Sequence, residues 1–305
     1  MRRTALGSAI VALAVILPLH PATAEAATAC DSTRVTTLTR TPIPALGWSE
    51  NVAYDHDGSL WVTRTALSEV QRLDARGRVT RSVTVPLPGG IAAGPNGDLY
   101  VTSFSQEITG VLSTGKIFRF DPDAAQPKPR IYTRGLGFPN GLAFDAKGNA
   151  YVGDTWQGVL KVLPDGRVDR RWSARAPRNL APTATVNGSS MNGVVVDGDT
   201  LYVTMTTSLT GRVLKVPLAH PDRVGAGADV TAPLPGLVDD LAVIAPGRLA
   251  VTTTTGQLAI ADTATRRSCM VQLGQPATSV AVNPHNTAEL AVGTELGAVL
   301  RVTVK

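Results

Sequence analysis

The chain has little of what many catalytic and binding sites are built from. Only four histidines occur in 305 residues. One, His20, sits in the N-terminal apolar stretch and the others fall in turns or loops, which argues against a Ser-His-Asp triad or a haem site. Aromatic residues make up 5% of the chain, too few to suggest a surface that stacks on carbohydrate. Charged residues make up only 17%, and the Lys and Arg residues are scattered singly, so no nucleic-acid footprint is present. The one long apolar run, Ala5 to Leu19, is too short and too interrupted by Pro18 to span a bilayer.

That run does fit another role. Arg2 and Arg3 precede it, and small residues from Ala24 to Ala29 follow, the pattern of a secretory signal peptide over residues 1–29. Cleavage can follow Ala24, Ala26 or Ala29. Cys30 directly after Ala29 leaves a lipoprotein anchor as a minor alternative, although Ala27 and Thr28 make a poor lipobox. The expectation is a secreted chain without stable membrane insertion, its net charge falling from +5 to +3 if cleavage follows Ala24, or to +4 if Glu25 is removed with Arg2 and Arg3. In an oxidising compartment the only two cysteines, Cys30 and Cys269, are expected to pair.

What is abundant is turn and short strand. With 29 Gly, 21 Pro and 43% apolar residues, residues 30–305 can bury a sizeable core between many turns. The segment FPNGLAFDAKGNAYVGDT, Phe138 to Thr155, reads as strand, Asp-Lys-Gly turn, strand. The same text recurs from Glu50, Gly89, Asn192, Asp239 and Thr278. Six hairpins spaced roughly 39 to 52 residues apart carry the period of propeller blades.

The expected fold is therefore all-β: a single six-bladed β-propeller of four-stranded blades. Further strands are expected in most blades, including Arg167 to Trp172 in blade three, with Arg212 to Pro217 added to blade four. Blade six runs out of chain after three strands. The isolated strand Arg34 to Thr41 can complete it, closing the ring without an exposed edge. Cys30 then lies beside the closing strand and Cys269 in the neighbouring blade, so that the disulfide locks the closure.

Propeller geometry places the residues just ahead of each inner strand at one mouth of the channel. Those residues are Glu50, Gly89, Asn140, Asn192, Asp239 and Thr278, with Ser103, Asp154, Thr206 and Thr254 behind them, Asp154 being read as a second substrate-binding residue beside Asn140. The turns carrying His56 and His285 go to the opposite face. Two carboxylates and two amide oxygens suit a hard cation, Ca²⁺ first, with Mg²⁺, Mn²⁺ or Zn²⁺ as alternatives, zinc being disfavoured by the lack of histidine. Each residue also has an ordinary reading: Asn140 and Asn192 as turn formers before glycine, Glu50 as a solvated loop residue, Asp154 as a cap. The longer segments Ser103–Gly115 and Ser173–Ser190 read as a lid or as passive decoration.

The blocks ENVAY, PNGLAFDAKGNAYVGDT, MNGVVVDGDTLYVT and VDDLAV resemble the blades of the gluconolactonase/regucalcin family of six-bladed propellers, over essentially all the chain from Trp48. The resemblance implies metal ligands at Glu50, Asn192 and Asp239, a substrate contact at Asn140, and a general base at Asp239, with Asp240 beside it as the other candidate. It departs at Asn51-Val52, where the family has Gly-Pro, at Asp240, where it has Gly, and at Phe138, where sugar-lactone members carry Arg. The implied activity is metal-dependent hydrolysis of a lactone or related cyclic ester by a monomer acting on a small molecule. The alternative is a non-catalytic propeller that binds a ligand or protein at the mouth. A quinone-dependent sugar dehydrogenase would need a His and Arg pair, which none of the six positions supplies.

Overall fold

The hairpins turn where an aspartate can cap its own backbone. Asp55 Oδ1 accepts from the N–H groups of Asp57 and Ser59 at 3.1 and 2.8 Å, and Gly58 takes the left-handed φ of +78° that closes the turn. Asp145 does the same with Lys147 and Asn149, both at 2.9 Å, ahead of Gly148 at +79°. These side-chain caps fix the hairpin register, and register decides which side chains face the core.

The structure, a computed structural model, describes residues 28–41, 43–44, 46–104, 113–178, 183–231 and 237–304. Six antiparallel sheets form the blades of a propeller. Blade one runs Ser49–Tyr54, Leu60–Arg64, Glu69–Leu73, Val79–Thr84, and blade two Pro88–Ala93, Leu99–Ser103, Gly115–Phe120, Arg130–Leu136. Blade three has Pro139–Phe144, Ala150–Asp154 and Gly158–Val162; blade four has Met191–Asp197, Thr200–Met205, Arg212–Pro217 and Gly225–Asp229. Blade five comprises Val238–Ala245, Arg248–Thr253, Gln257–Asp262 and Ser268–Gln272, and blade six Ala277–Val282, Glu289–Thr294 and Val299–Thr303.

Arg34–Thr39 supplies the fourth strand of blade six, Arg34 opposite Thr303 and Thr39 opposite Val299, so the ring closes as expected. Thr28 and Ala29 then lie parallel to the outer strand of blade five, opposite Cys269 and Met270. Cys30 and Cys269 form a disulfide there. The clasp ties the lead-in of the closing strand to the blade next door. The rest of the expected signal peptide lies outside the described residues, as do residues 105–112 and 179–182 of the two longer segments. No helix among the described residues is long and apolar enough to cross a membrane.

Two outer strands differ from expectation. Arg167–Trp172 is not a strand: one bridge joins Val162 and Val168, and the chain then turns into the short helix Arg170–Ser173. Asp169 caps it by accepting from Trp172 N–H at 3.0 Å, while the Trp172 ring packs edge-on to Tyr151 and donates to Leu218 O. A helix cap and a buried indole outweigh the strand propensity of Val168 and Trp172. In blade four, Gly225–Asp229 does pair with Arg212–Lys215 although its sequence, GAGAD, has no strand formers.

The core lies between blades. Trp61, fully buried, meets Phe120 edge to face at 5.6 Å between blades one and two. Comparable clusters fill the other gaps, so each inner strand is held on both flanks. Rigid inner strands are what a site at their ends requires.

Candidate functional site

Each of the six positions singled out in the sequence is the second residue of an innermost strand. At that point each inner strand holds one extra residue against its neighbour: in blade one Ser49 pairs with Arg64, but the next pair is Val52 with Val62. The same irregularity occurs in the other five blades. A bulge re-aims consecutive side chains, and the six bulges fall at equivalent positions around the ring, although Gly89 has no side chain to aim and Thr278 donates to Ser49 O in the next blade.

Threonines hold that ring. The next-to-last residue of the second strand is Thr63, Thr102, Thr204 or Thr252 in four blades. Its hydroxyl donates to the inner strand of the following blade: Thr63 to Gly89 O at 2.7 Å, Thr102 to Asn140 O at 2.9 Å, Thr204 to Asp239 O, and Thr252 to Thr278 O at 3.3 Å. In blade three the position is Gly153, where a Cβ would fall 1.9 Å from Asn192 O. The recurring Val-Thr of the second strands was the available signal for this clasp.

The ring is joined by side chains from different blades. Asn140 Nδ2 donates to Glu50 Oε1 at 3.0 Å, reaching past blade two, where Gly89 has no side chain to intervene. Glu50 Oε2 also accepts from Trp48 Nε1 at 2.6 Å. Asn192 Nδ2 donates to Asp239 Oδ1 at 2.6 Å and to Thr206 Oγ1 at 3.0 Å. Both amides thus direct their N–H groups at protein, and neither Oδ1 accepts a hydrogen bond from a described residue. The carbonyl oxygens are left as donors of electron pairs to the mouth.

Asp239 and Asp240 are adjacent but have different partners. Asp239 belongs to the mouth with Asn192 and Glu50. Asp240 Oδ2 accepts from Asn51 Nδ2 at 3.2 Å and from Val280 N–H at 3.3 Å, one level deeper. Beneath it a cavity of about 360 Å³ descends the channel, walled by Val52, Ile91, Leu142, Val194, Leu241 and Val280.

Burial raises the pKa of all these carboxyls. Asp239 is pushed well up, first by desolvation and then by the charges of Glu50, Asp240 and Glu295. Glu50 is raised by burial against the pull of its bonds to Asn140 and Trp48, and Glu295 by burial. Asp240 is pushed up to about 7 by burial, opposed by the N–H groups of Leu241 and Val280 and by Asn51. The other charges that act on Glu50, Asp239 and Asp240 are all carboxylates. Like charges gathered out of water without a counter-charge must either keep protons or share a cation. Glu50, Asp239 and the Asn192 amide offer oxygen atoms alone, the donor type that hard cations take.

Asp154 has the capping role that the sequence left open. Fully buried, it accepts the N–H groups of Gly137, Phe138, Trp156 and Gln157 at 2.8 to 3.0 Å, so its carboxylate organises the loop that leads into the inner strand of blade three. Ser103 turns away to Pro86 O. Trp48, Glu295 and Phe104 join the site without having been read as part of it, and so do Asn51 and Phe138, which the sequence marked only as departures from the resembled family's pattern. On the turn face, His56, Asp57 and Asp123 come within 4.8 Å of one another, all exposed.

No family model matches the sequence, and no curated relative matches it. Solved structures match at low identity. A gluconolactonase from Xanthomonas campestris superposes with a TM-score of 0.68 at 17% identity, covering 91% of this chain and 92% of that one. A streptogramin B lyase gives 0.62 at 11%, covering 90% and 98%. The PQQ-bound aldose sugar dehydrogenase of Streptomyces coelicolor gives 0.59 at 18%, again covering 90% and 98%. What this chain shares with all three is the fold, the six-bladed β-propeller.

Proposed function

We propose that the mouth is the centre of a secreted, divalent-cation-dependent hydrolase acting on a lactone or related cyclic ester, as the resemblance to gluconolactonase-type blades implies. The observation that carries it is the group of buried carboxyls at one end of the channel, with two amide oxygens beside them and, among the described residues, no cationic side chain among the leading influences on their charge. Glu50, Asn192 and Asp239 would hold the cation, Ca²⁺ being the best fit to a donor set of oxygen alone. Such an ion supplies Lewis-acid polarisation of the ester carbonyl.

The remaining work falls to the chain's own residues. Asn140, fixed through its Nδ2 on Glu50, presents Oδ1 to the substrate. Asp239 takes the proton from the attacking water. Its Oδ1 accepts from Asn192, and Oδ2 would take that proton. Asp240, held by Asn51 and Val280 on the cavity side, supports the register of Asp239 and is the second candidate for the proton.

Neighbouring folds host other chemistry. One neighbour is described as a virginiamycin B lyase made catalytically inactive by loss of a histidine; here the six ring positions hold no histidine. Metal analysis of the purified chain, followed by a lactone panel on wild type and Asp239→Asn, tests the proposal. Bound calcium with turnover abolished in the variant supports it. A metal-free protein that turns over no lactone returns the mouth to ligand binding.

A further inference from the structure

We propose that the part of the substrate that does not react is apolar: the mouth selects a lactone or cyclic ester bearing an aryl or alkyl substituent over a polyhydroxylated one. This rests on the hydrolase reading of the same mouth.

The ring of six positions is interrupted at blade two. Gly89 offers no ligand, and Phe104 lies directly over it, since a Cβ on Gly89 would fall 2.6 Å from Phe104 Cε1. Phe104 is stacked on Phe138 with centroids 4.4 Å apart and planes 9° from parallel. Phe138 immediately precedes Pro139 and Asn140, and Asn140 donates to Glu50. The stacked pair therefore flanks the sector between Glu50 and Asn140. On the other side of Glu50, the Trp48 indole touches the carboxylate through Nε1. Three aromatic rings adjoin the oxygen cluster in a chain with only 5% aromatic residues.

The surrounding surface has the same character. Of the nine large apolar side chains exposed among the described residues, seven fall in connections at the mouth end of the blades. They include Trp156, Leu209, Leu237 and Leu296, and none of the nine lies in the Asp-Gly turns of the opposite face. A ring of hydroxyls would instead require donors and acceptors around the carboxylates. Arg64, at the mouth end of blade one, is buried and already bonded to Gly47 O, Gly297 O and Gln71 Oε1. An apolar substituent laid against these rings removes apolar area from water, whereas a hydroxylated one placed there loses hydration to an apolar surface.

The test uses the mature chain with calcium. kcat/KM is measured for δ-decalactone, dihydrocoumarin and glucono-δ-lactone, and binding of δ-decalactam and gluconolactam is followed by tryptophan fluorescence. The expected result is a preference of about tenfold or more for the two apolar lactones, the scale on which apolar pockets discriminate. Phe138→Ala should shrink that ratio, and Phe138→Leu should restore it for the alkyl substrate more than for the aryl one. Glucono-δ-lactone turned over best would overturn the proposal while leaving the hydrolase reading intact. Binding of δ-decalactam over gluconolactam with no lactone hydrolysed would uphold the apolar preference and sink the hydrolase. Failure to bind either lactam overturns the proposal.

Discussion

Asn192 donates from Nδ2 to Asp239 Oδ1 at 2.6 Å, joining blade four to blade five across 47 residues of sequence. The bond removes the amide N–H from the mouth and leaves the amide oxygen beside a carboxylate. Asn192→Asp replaces the donor with a second negative charge. Without metal, that variant should melt below wild type. Saturating calcium should then raise its Tm by more than it raises that of wild type. Thermal melts with chelator and with calcium check both halves.

Stability should also depend on pH in an uncommon direction. Asp240 is held up to about 7 by burial, whereas an unfolded aspartate ionises near 4. Between those values the folded chain keeps a proton that the unfolded chain has lost, so stability falls as pH rises. The contribution is complete below about pH 4 and gone once pH passes the folded pKa. Glu50 and Asp239, also raised, act in the same sense. Chelator-treated protein should therefore melt higher at pH 5 than at pH 8, and calcium should help more at pH 8. Exposed aspartates with lowered pKa, such as Asp74 and Asp165, are ionised throughout that window and do not reverse it.

Asp154 should prove structural. Four main-chain N–H groups converge on its carboxylate, two of them from Gly137 and Phe138, next to the inner strand that carries Asn140. Asp154→Ala leaves those donors buried without an acceptor, at a cost of about 2 to 4 kcal/mol. Urea unfolding should show the loss, with residual activity per folded molecule close to wild type.

The Cys30–Cys269 clasp spans 239 residues, and loop-closure entropy for so long a loop is worth roughly 4 to 5 kcal/mol. Cys30→Ser should lower the urea midpoint by a corresponding amount. Lactone turnover should not change, because the disulfide sits on the outer strand of blade five, away from the mouth.

What was legible in the sequence was whatever repeats. Short polar turns between alternating apolar strands, Asp-x-x-Gly in blades one and three, announce six hairpins. A three-stranded last blade with one strand to spare announces how the ring closes. The oxygen-bearing positions were visible because they align across blades, Glu50 and Asp239 with Asn140 and Asn192. Contacts between distant segments were not. Asn51 meets Asp240 across 189 residues, and no local pattern records that pairing. Nor does local sequence show that Phe104 fills the space above Gly89. Blade three misled because Asp169 is a helix cap in strand-like text, and Gly225–Asp229 became a strand through pairing alone.

The central claim is that Glu50 and Asp239 share one cation, and calorimetric titration of calcium into chelator-stripped protein tests it most directly. Wild type should bind one equivalent, Glu50→Gln and Asp239→Asn should each bind far more weakly, and the double variant should lose little beyond either single one. Independent, additive losses, or a stripped wild type that binds no calcium while remaining folded, would contradict the account.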